Sequence, residues 1–252
     1  MMRENIENRR FFLKDTVRMM TDFSSTGQSM GMPAPPLQKP YPEDARLISL
    51  PKGDDALRTS ANMPLWEAVG NRESVRDYSP KPMSMQQLSA LLWATQGVKQ
   101  VLDASCALRT VPSAGARHAF ETYLAVDNVE TLPPGLYRFL PFDNKLLALR
   151  EDREIGEKAA YACLGQGFVA NAAVTFFWTA MPERMEWRYG MAAHKVIAVD
   201  VGHLCQNLYL AATAMGTGAC AIAAYDQAEC DDLLGVDGED EFTVYVCAVG
   251  NR

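Results

Sequence analysis

The sequence predicts an α+β fold, and three observations carry that prediction. Segments of strand character and of helix character follow one another without the regular strand-helix-strand rhythm of a doubly wound sheet. In mid-chain, Gly135-Leu-Tyr-Arg-Phe-Leu140 and Lys145-Leu-Leu-Ala-Leu149 flank the turn residues Pro141-Phe142-Asp143-Asn144, the pattern of a β-hairpin. Towards the end, a mostly apolar run from His194 to Gly216 precedes a strand-like Phe242 to Val249. With 252 residues, 48% hydrophobic and 22% charged, the chain can bury a core of one or two domains without disulfides or metals.

Near the N-terminus, Asn8-Arg9-Arg10-Phe11-Phe12-Leu13-Lys14 has the look of a twin-arginine export core. Asp15, Arg18 and Asp22 then occupy the place where an apolar segment is required, so export is not expected and a cytoplasmic protein is. Prolines 33, 35, 36, 40, 42 and 51 exclude regular helix between them. Residues 1–59 therefore read as an extended Pro-rich arm. It is either a flexible tail or a strap over the body or a partner subunit, anchored by Tyr41, Leu47 and Ile48. The compact body is expected over 60–252. Pro64 suits the first turn of a short helix through Val69, ended by Gly70. Ser84-x-x-Gln87 is a capping box, with Leu88, Leu91, Leu92 and Thr95 on one helical face and Gly97 at the stop. Phe120 to Val126 reads as a strand, Glu151 to about Gly167 as a helix, and Ala172 to Ala180 as a buried strand. Lys195, Asp200, His203, Gln206 and Asn207 interrupt the 194–216 run, which points to an interior or subunit-interface helix and away from a membrane span.

The net charge of −7 argues against a general nucleic-acid or anionic-membrane surface. Six cysteines lie in apolar stretches with no C-x-x-C pair and no zinc-like pairing with the three histidines. They read as buried reduced thiols in a reducing compartment, and no metal is expected. Gly216-x-Gly218-x-x-Ala221 imitates a dinucleotide fingerprint but follows a helix, whereas that motif must follow a strand and open a helix. Its glycines read instead as a helix stop and a close backbone approach. No G-x-S-x-G elbow is present, and His118 and His203 read as structural.

Arg72-Glu73-Ser74-Val75-Arg76 is more informative, because residues 72, 74 and 76 project from one side of an extended chain. Two guanidinium forks and a hydroxyl suit a phosphate and supply roughly 4–7 kcal/mol. Micromolar binding needs about 8.2 kcal/mol, so an apolar ring system must be buried as well. On its own an Arg-x-x-x-Arg is a weak signal that surface ion pairs explain better.

Three segments taken together resemble the FMN-dependent nitroreductase superfamily. They are Arg72-x-Ser74-Val75-Arg76-x-Tyr78; Pro112-Ser113-Ala114-Gly115 running into Glu121-Thr122-Tyr123; and Asp200-Val-Gly-His-x-x-Gln206-Asn207-Leu-x-Leu-x-Ala212 with Met215-Gly216-x-Gly218. The hairpin and the Pro-rich arm resemble its SagB-type branch, related to thiazoline and thiazole oxidases. The resemblance implies a mainly antiparallel sheet flanked by helices, and a homodimer with two FMN molecules at the subunit interface. It implies that Arg72, Ser74 and Arg76 hold the phosphate and ribityl chain. Pro112, Ser113, Ala114 and Gly115 would lie against the isoalloxazine, while Ala221, Ile222, Ala223 and Ala224 cover its other face and offer a backbone N–H near N5. Two places depart from the family pattern. Ala116 stands where many members have Asn, and where many have a further phosphate-binding basic residue beyond the last strand there is only Arg252, to which that role is not assigned.

The implied activity is hydride transfer from NAD(P)H through flavin N5 to an electron-poor small molecule such as a nitroaromatic or quinone. The protein would orient and tune the cofactor. Two alternatives stay open. One is a SagB-type azoline dehydrogenase acting on a modified peptide, with Tyr189 as acid/base; Arg188 stands where that branch has a Lys, and Arg cannot act as a base. The other is a non-enzymatic flavin-binding or interaction protein. Trp187, Tyr189 and His118 are the candidate substrate contacts.

Overall fold

The computed structural model describes residues 10–252; Arg9, half of the twin-arginine pair, lies outside them. In chain order the elements are α1 (Thr16–Met20), β1 (Leu47–Ser49), α2 (Gly53–Ser60), α3 (Leu65–Asn71), α4 (Met85–Gln96), β2 (Val98–Asp103), β3 (Cys106–Arg109), β4 (Phe120–Val126), β5 (Gly135–Leu140), β6 (Lys145–Glu151), α5 (Ile155–Ala162), β7 (Val174–Ala180), α6 (Glu183–Tyr189), α7 (Ala193–Ala214), β8 (Thr217–Ile222), α8 (Gln227–Leu234) and β9 (Phe242–Asn251). Seven strands form one sheet in the order β1-β6-β5-β4-β7-β9-β8, every neighbouring pair antiparallel. The α+β expectation holds.

Period two explains how both faces of this sheet are covered. On one face Phe120, Leu124, Phe176, Trp178, Cys247 and Val249 pack against Leu88, Leu91 and Leu92 of α4 and Leu204 and Leu208 of α7. On the other, Tyr123, Ala125, Phe177, Val246 and Ala248 pack against Ile155 and Ala159 of α5 and Leu233 of α8. A strand whose two faces are both buried reads as a continuous apolar run, as Val174-Thr-Phe-Phe-Trp-Thr-Ala180 does.

The capping box at Ser84 and Gln87 forms, with Gly97 closing α4. The expected helix from Glu151 to Gly167 is shorter than its pattern. Glu151 pairs with Gly135 in the sheet, and left-handed Leu164 (φ 58°) and Gly165 (φ 72°) end the helical path. Gly216 and Gly218 follow a helix and lead into β8, the reverse of a dinucleotide fold. Five of the six cysteines are buried and none is bridged.

Chain before residue 60 is woven into the body, unlike the expected start there. β1 extends the sheet beside β6, and α2 packs on α4. The Pro-rich segment is a strap over its own chain. Arg109 donates to Leu37 O at 2.8 Å, Arg138 to Lys39 O at 2.9 Å and Pro40 O at 3.0 Å, and Lys39 N–H donates to Glu121 Oε1 at 2.8 Å. Lys39 also pairs with buried Glu241. Buried Leu37 and Lys39 anchor the strap more firmly than half-buried Tyr41. Among the described residues no helix is long and apolar enough to cross a membrane.

Candidate functional site

The chain leaves α3 at Asn71, and Arg72 is already extended, with φ −60° and ψ 120°. From there it runs beside the outer edge of β8. Val75 N–H donates to Ala219 O at 2.9 Å, and Ser74 and Ala219 form a parallel bridge. Gly218 makes this approach possible, since a Cβ there would stand 2.5 Å from Val75 Cγ1. The close backbone approach read from the sequence is this one.

Arg72 and Ser74 converge on one side chain, Tyr209 of α7. The Arg72 guanidinium carbon sits 5.3 Å from the Tyr209 ring centroid, and Ser74 Oγ lies 2.9 Å from Tyr209 Oη. Arg76 leans instead over the Phe168 ring, at 5.8 Å. Arg252 reaches Glu73 at 3.1 Å. It lines both a cleft of about 520 Å³ along Glu73–Ser79 and an adjoining one of about 610 Å³ with Arg72, Thr213 and Thr217. Ser74 and Arg76 border the first cleft, Arg72 the second, and Arg252 both, so the two form a groove that meets at Arg252, with donors that suit a phosphoryl group.

The 112–115 loop is fastened elsewhere on α7. Ala114 N–H donates to Asp200 Oδ2 at 3.0 Å, and Ser113 Oγ accepts His118 N–H at 2.9 Å. Burial raises the Asp200 carboxyl above its ordinary value, opposed by its hydrogen bonds from Ser113 and Ala114. Gly115, Ala116 and His118 all have left-handed φ, at 58°, 52° and 46°, so this turn is costly and is held by its partners. A Cβ on Gly115 would stand 2.6 Å from Arg188 Nε and 2.7 Å from Tyr189 Oη. The Arg188-Tyr189 pair therefore packs against the loop, while Pro112 and Gly115 remain exposed.

Three expectations need correction. His118 is buried and its Nε2–H donates to Ala107 O at 3.1 Å. Burial, with Arg109 next, pushes its pKa down to about 3, so it is a neutral structural group and not a substrate contact. Trp187 gives its Nε1–H to Met32 O at 3.0 Å and lies under Gly27, within the N-terminal packing. Ala221 cannot offer its N–H to a ligand, because that group donates to Tyr209 Oη at 2.7 Å. Within the 221–224 stretch Ile222 is buried, while Ala223 and Ala224 are exposed. Ala223 borders an apolar cleft of about 640 Å³ with Ile197, Val201, Gly202 and Tyr245. The sequence offered no local signal for Tyr209, which sits in an apolar helical run, nor for Asp200 as the loop's anchor.

Asp200 and Tyr209 are nine residues apart on one helix, about two and a half turns. The loop and the strip are thereby tied to opposite faces of α7, about 13 Å apart along its axis. Among the described residues no group of three or more His, Cys, Asp or Glu could hold a metal ion.

Comparisons with known proteins show the family of the chain. The model of the nitroreductase family matches residues 69–251. The chain belongs to the nitroreductase family. A nitroreductase-like protein of Methanocaldococcus jannaschii is 32% identical over 188 residues, covering 75% of this chain and 91% of that one. A solved nitroreductase-type structure from Ralstonia eutropha has a TM-score of 0.68 and 28% identity, covering 88% of this chain and 99% of that one. Another, from Anabaena variabilis, has a TM-score of 0.69 and 25% identity over 85% of this chain. This chain spans only 43% of the Anabaena protein. This nitroreductase-family protein is an oxidoreductase.

Proposed function

We propose that the protein is an FMN-dependent NAD(P)H oxidoreductase of nitroreductase type that works as a homodimer in a reducing, cytoplasmic setting. Bound FMN would supply the redox chemistry, taking hydride from NAD(P)H and passing it to an electron-poor small molecule such as a nitroaromatic or quinone. The residues fit that cofactor. Arg72, Ser74 and Arg76, joined by Arg252, would hold the phosphate and the adjoining ribityl chain. The exposed small residues Ala223 and Ala224 would lie under a flat ring. The Pro112, Ser113, Ala114 and Gly115 backbone, fixed by Asp200, would meet the ring from the other side and exclude water.

What carries this reading is the placement of strip and loop on opposite faces of α7. One copy holds them on opposite sides of the helix, and two copies related by a two-fold axis would present the strip of one to the loop of the other, twice. The test is an anaerobic absorption spectrum of the purified protein, titrated with NADPH and then with a nitroaromatic and a quinone. Bleaching on the first addition and recovery on the second are expected. A colourless protein that leaves added FMN fluorescence unquenched refutes the reading.

One observation favours the azoline dehydrogenase as a second reading, namely the Tyr189 hydroxyl packed against Gly115, which brings a phenol to the loop. Tyr189→Phe should then abolish oxidation of an azoline peptide while FMN stays bound; unchanged turnover removes this reading.

A further inference from the structure

The Ser74 hydroxyl lies on an exposed strip, and its hydrogen-bond partner is the buried phenol of Tyr209. That phenol oxygen already accepts the Ala221 N–H. Two polarities are open for the contact between the hydroxyls. If Ser74 donated to Tyr209, it would have only lone pairs to turn towards the groove, and those repel an anion. If Tyr209 donates, the Ser74 proton is left for a ligand oxygen. Burial raises the Tyr209 pKa, so its proton remains in place at neutral pH. The Tyr209 ring also carries the Arg72 guanidinium, which puts both partners of one anion on the same support.

We infer that Tyr209 is a positioning residue that orients Ser74 as a donor to the cofactor's phosphate, and so makes the groove prefer FMN over riboflavin. The inference rests on the FMN reading above. It goes beyond that reading in giving the donor polarity to a chain of three groups, Ala221 N–H to Tyr209 Oη and Tyr209 O–H to Ser74 Oγ, with the Ser74 O–H left for phosphate. Tyr209→Phe keeps the ring beneath Arg72 and deletes only the hydroxyl, so it isolates this chain.

The experiment measures dissociation constants for FMN and for riboflavin by flavin fluorescence quenching, in the wild type, Tyr209→Phe, Ser74→Ala and the double variant. The wild type should bind FMN more tightly than riboflavin. Tyr209→Phe should weaken FMN by about 10-fold, the loss of one oriented bond to a charged group, while its riboflavin affinity is unchanged. That second value also reports that the variant is folded. Ser74→Ala should show a similar selective loss, and the double variant should be no weaker than Ser74→Ala, because the two residues act as one unit. Equal weakening of both flavins by Tyr209→Phe assigns it a merely structural role and overturns the inference. So does a double variant in which the two losses multiply. A wild type that binds both flavins equally overturns the phosphate-groove reading and this inference with it.

Discussion

Replacing Gly218 by Ala should dislodge the 72–76 strip from β8. The new Cβ would stand 2.5 Å from Val75 Cγ1 and 2.7 Å from Val75 Cβ, whereas carbon atoms settle at about 3.5–4.0 Å. Val75 must then retreat by about 1 Å. That movement stretches its 2.9 Å bond to Ala219 O beyond hydrogen-bonding range. Overpacking costs about 1–3 kcal/mol of stability. The larger effect falls on binding, because Arg72 and Ser74 ride on this segment. Weakening two charge-assisted contacts by a combined ~2–3 kcal/mol lowers FMN affinity about 30- to 140-fold. Fluorescence quenching gives the affinity and a thermal melt gives the stability. Val75→Gly removes all three atoms that the new Cβ would meet, so the double variant should recover most of the affinity. A Gly218→Ala protein that binds FMN as tightly as the wild type would refute the idea that strip position governs binding.

Asp200→Ala leaves the Ala114 N–H without its acceptor and should cost about 1–3 kcal/mol in urea denaturation; an unchanged midpoint counts against the loop's dependence on α7. The His118 pKa of about 3 lies below its ordinary value, owing to burial first and then to Arg109, Arg117 and Arg184. Between about pH 3 and 6.5 the folded state therefore binds fewer protons than the unfolded chain, and stability falls with acidification by up to about 1.4 kcal/mol per pH unit. His118→Asn, which tolerates the left-handed φ, should flatten the fall between pH 7 and pH 5, and identical slopes would refute this assignment. Glu121→Ala strands Arg184, whose partner at 2.5 Å it removes, both side chains being nearly fully buried. A loss of about 3–5 kcal/mol is expected, and calorimetry showing less than 1 kcal/mol would contradict it.

Local chemistry made α4 and the central strands legible. Ser84 and Gln87 satisfy one another within three residues, and Val174–Ala180 is apolar enough to have no alternative but the interior. β1 escaped notice because Leu47–Ser49 lies among prolines and its partner β6 is about a hundred residues away, a pairing that no local window contains. The hairpin of β2 and β3 is half-exposed and irregular in register, so it lacks clean alternation. The helix expected over 151–167 was overextended because its composition continues past Ala162, whereas the backbone turns at Leu164 and Gly165. In the site, Arg72, Ser74 and Arg76 were visible as residue types at a spacing. Tyr209 was not, because one phenol in an apolar helix reads as core until the strip is seen resting on it. The Ala221 N–H failed for the same reason, its acceptor being twelve residues upstream on another element.

Strand β9 lies between β7 and β8, one place in from the sheet edge, although it follows both of them in sequence. Its neighbour in sequence, Glu241, holds Lys39 from a distance of 202 residues. A ribosome making this protein therefore releases a sheet with a gap, flanked by unpaired edges of β7 and β8, until residue 251 has cleared the exit tunnel. Such edges invite pairing with other chains. The interval between synthesis of β8 and insertion of β9 is where this protein should lean most on chaperones, and deletion of β9 alone would leave an aggregating product and not a slightly weaker enzyme.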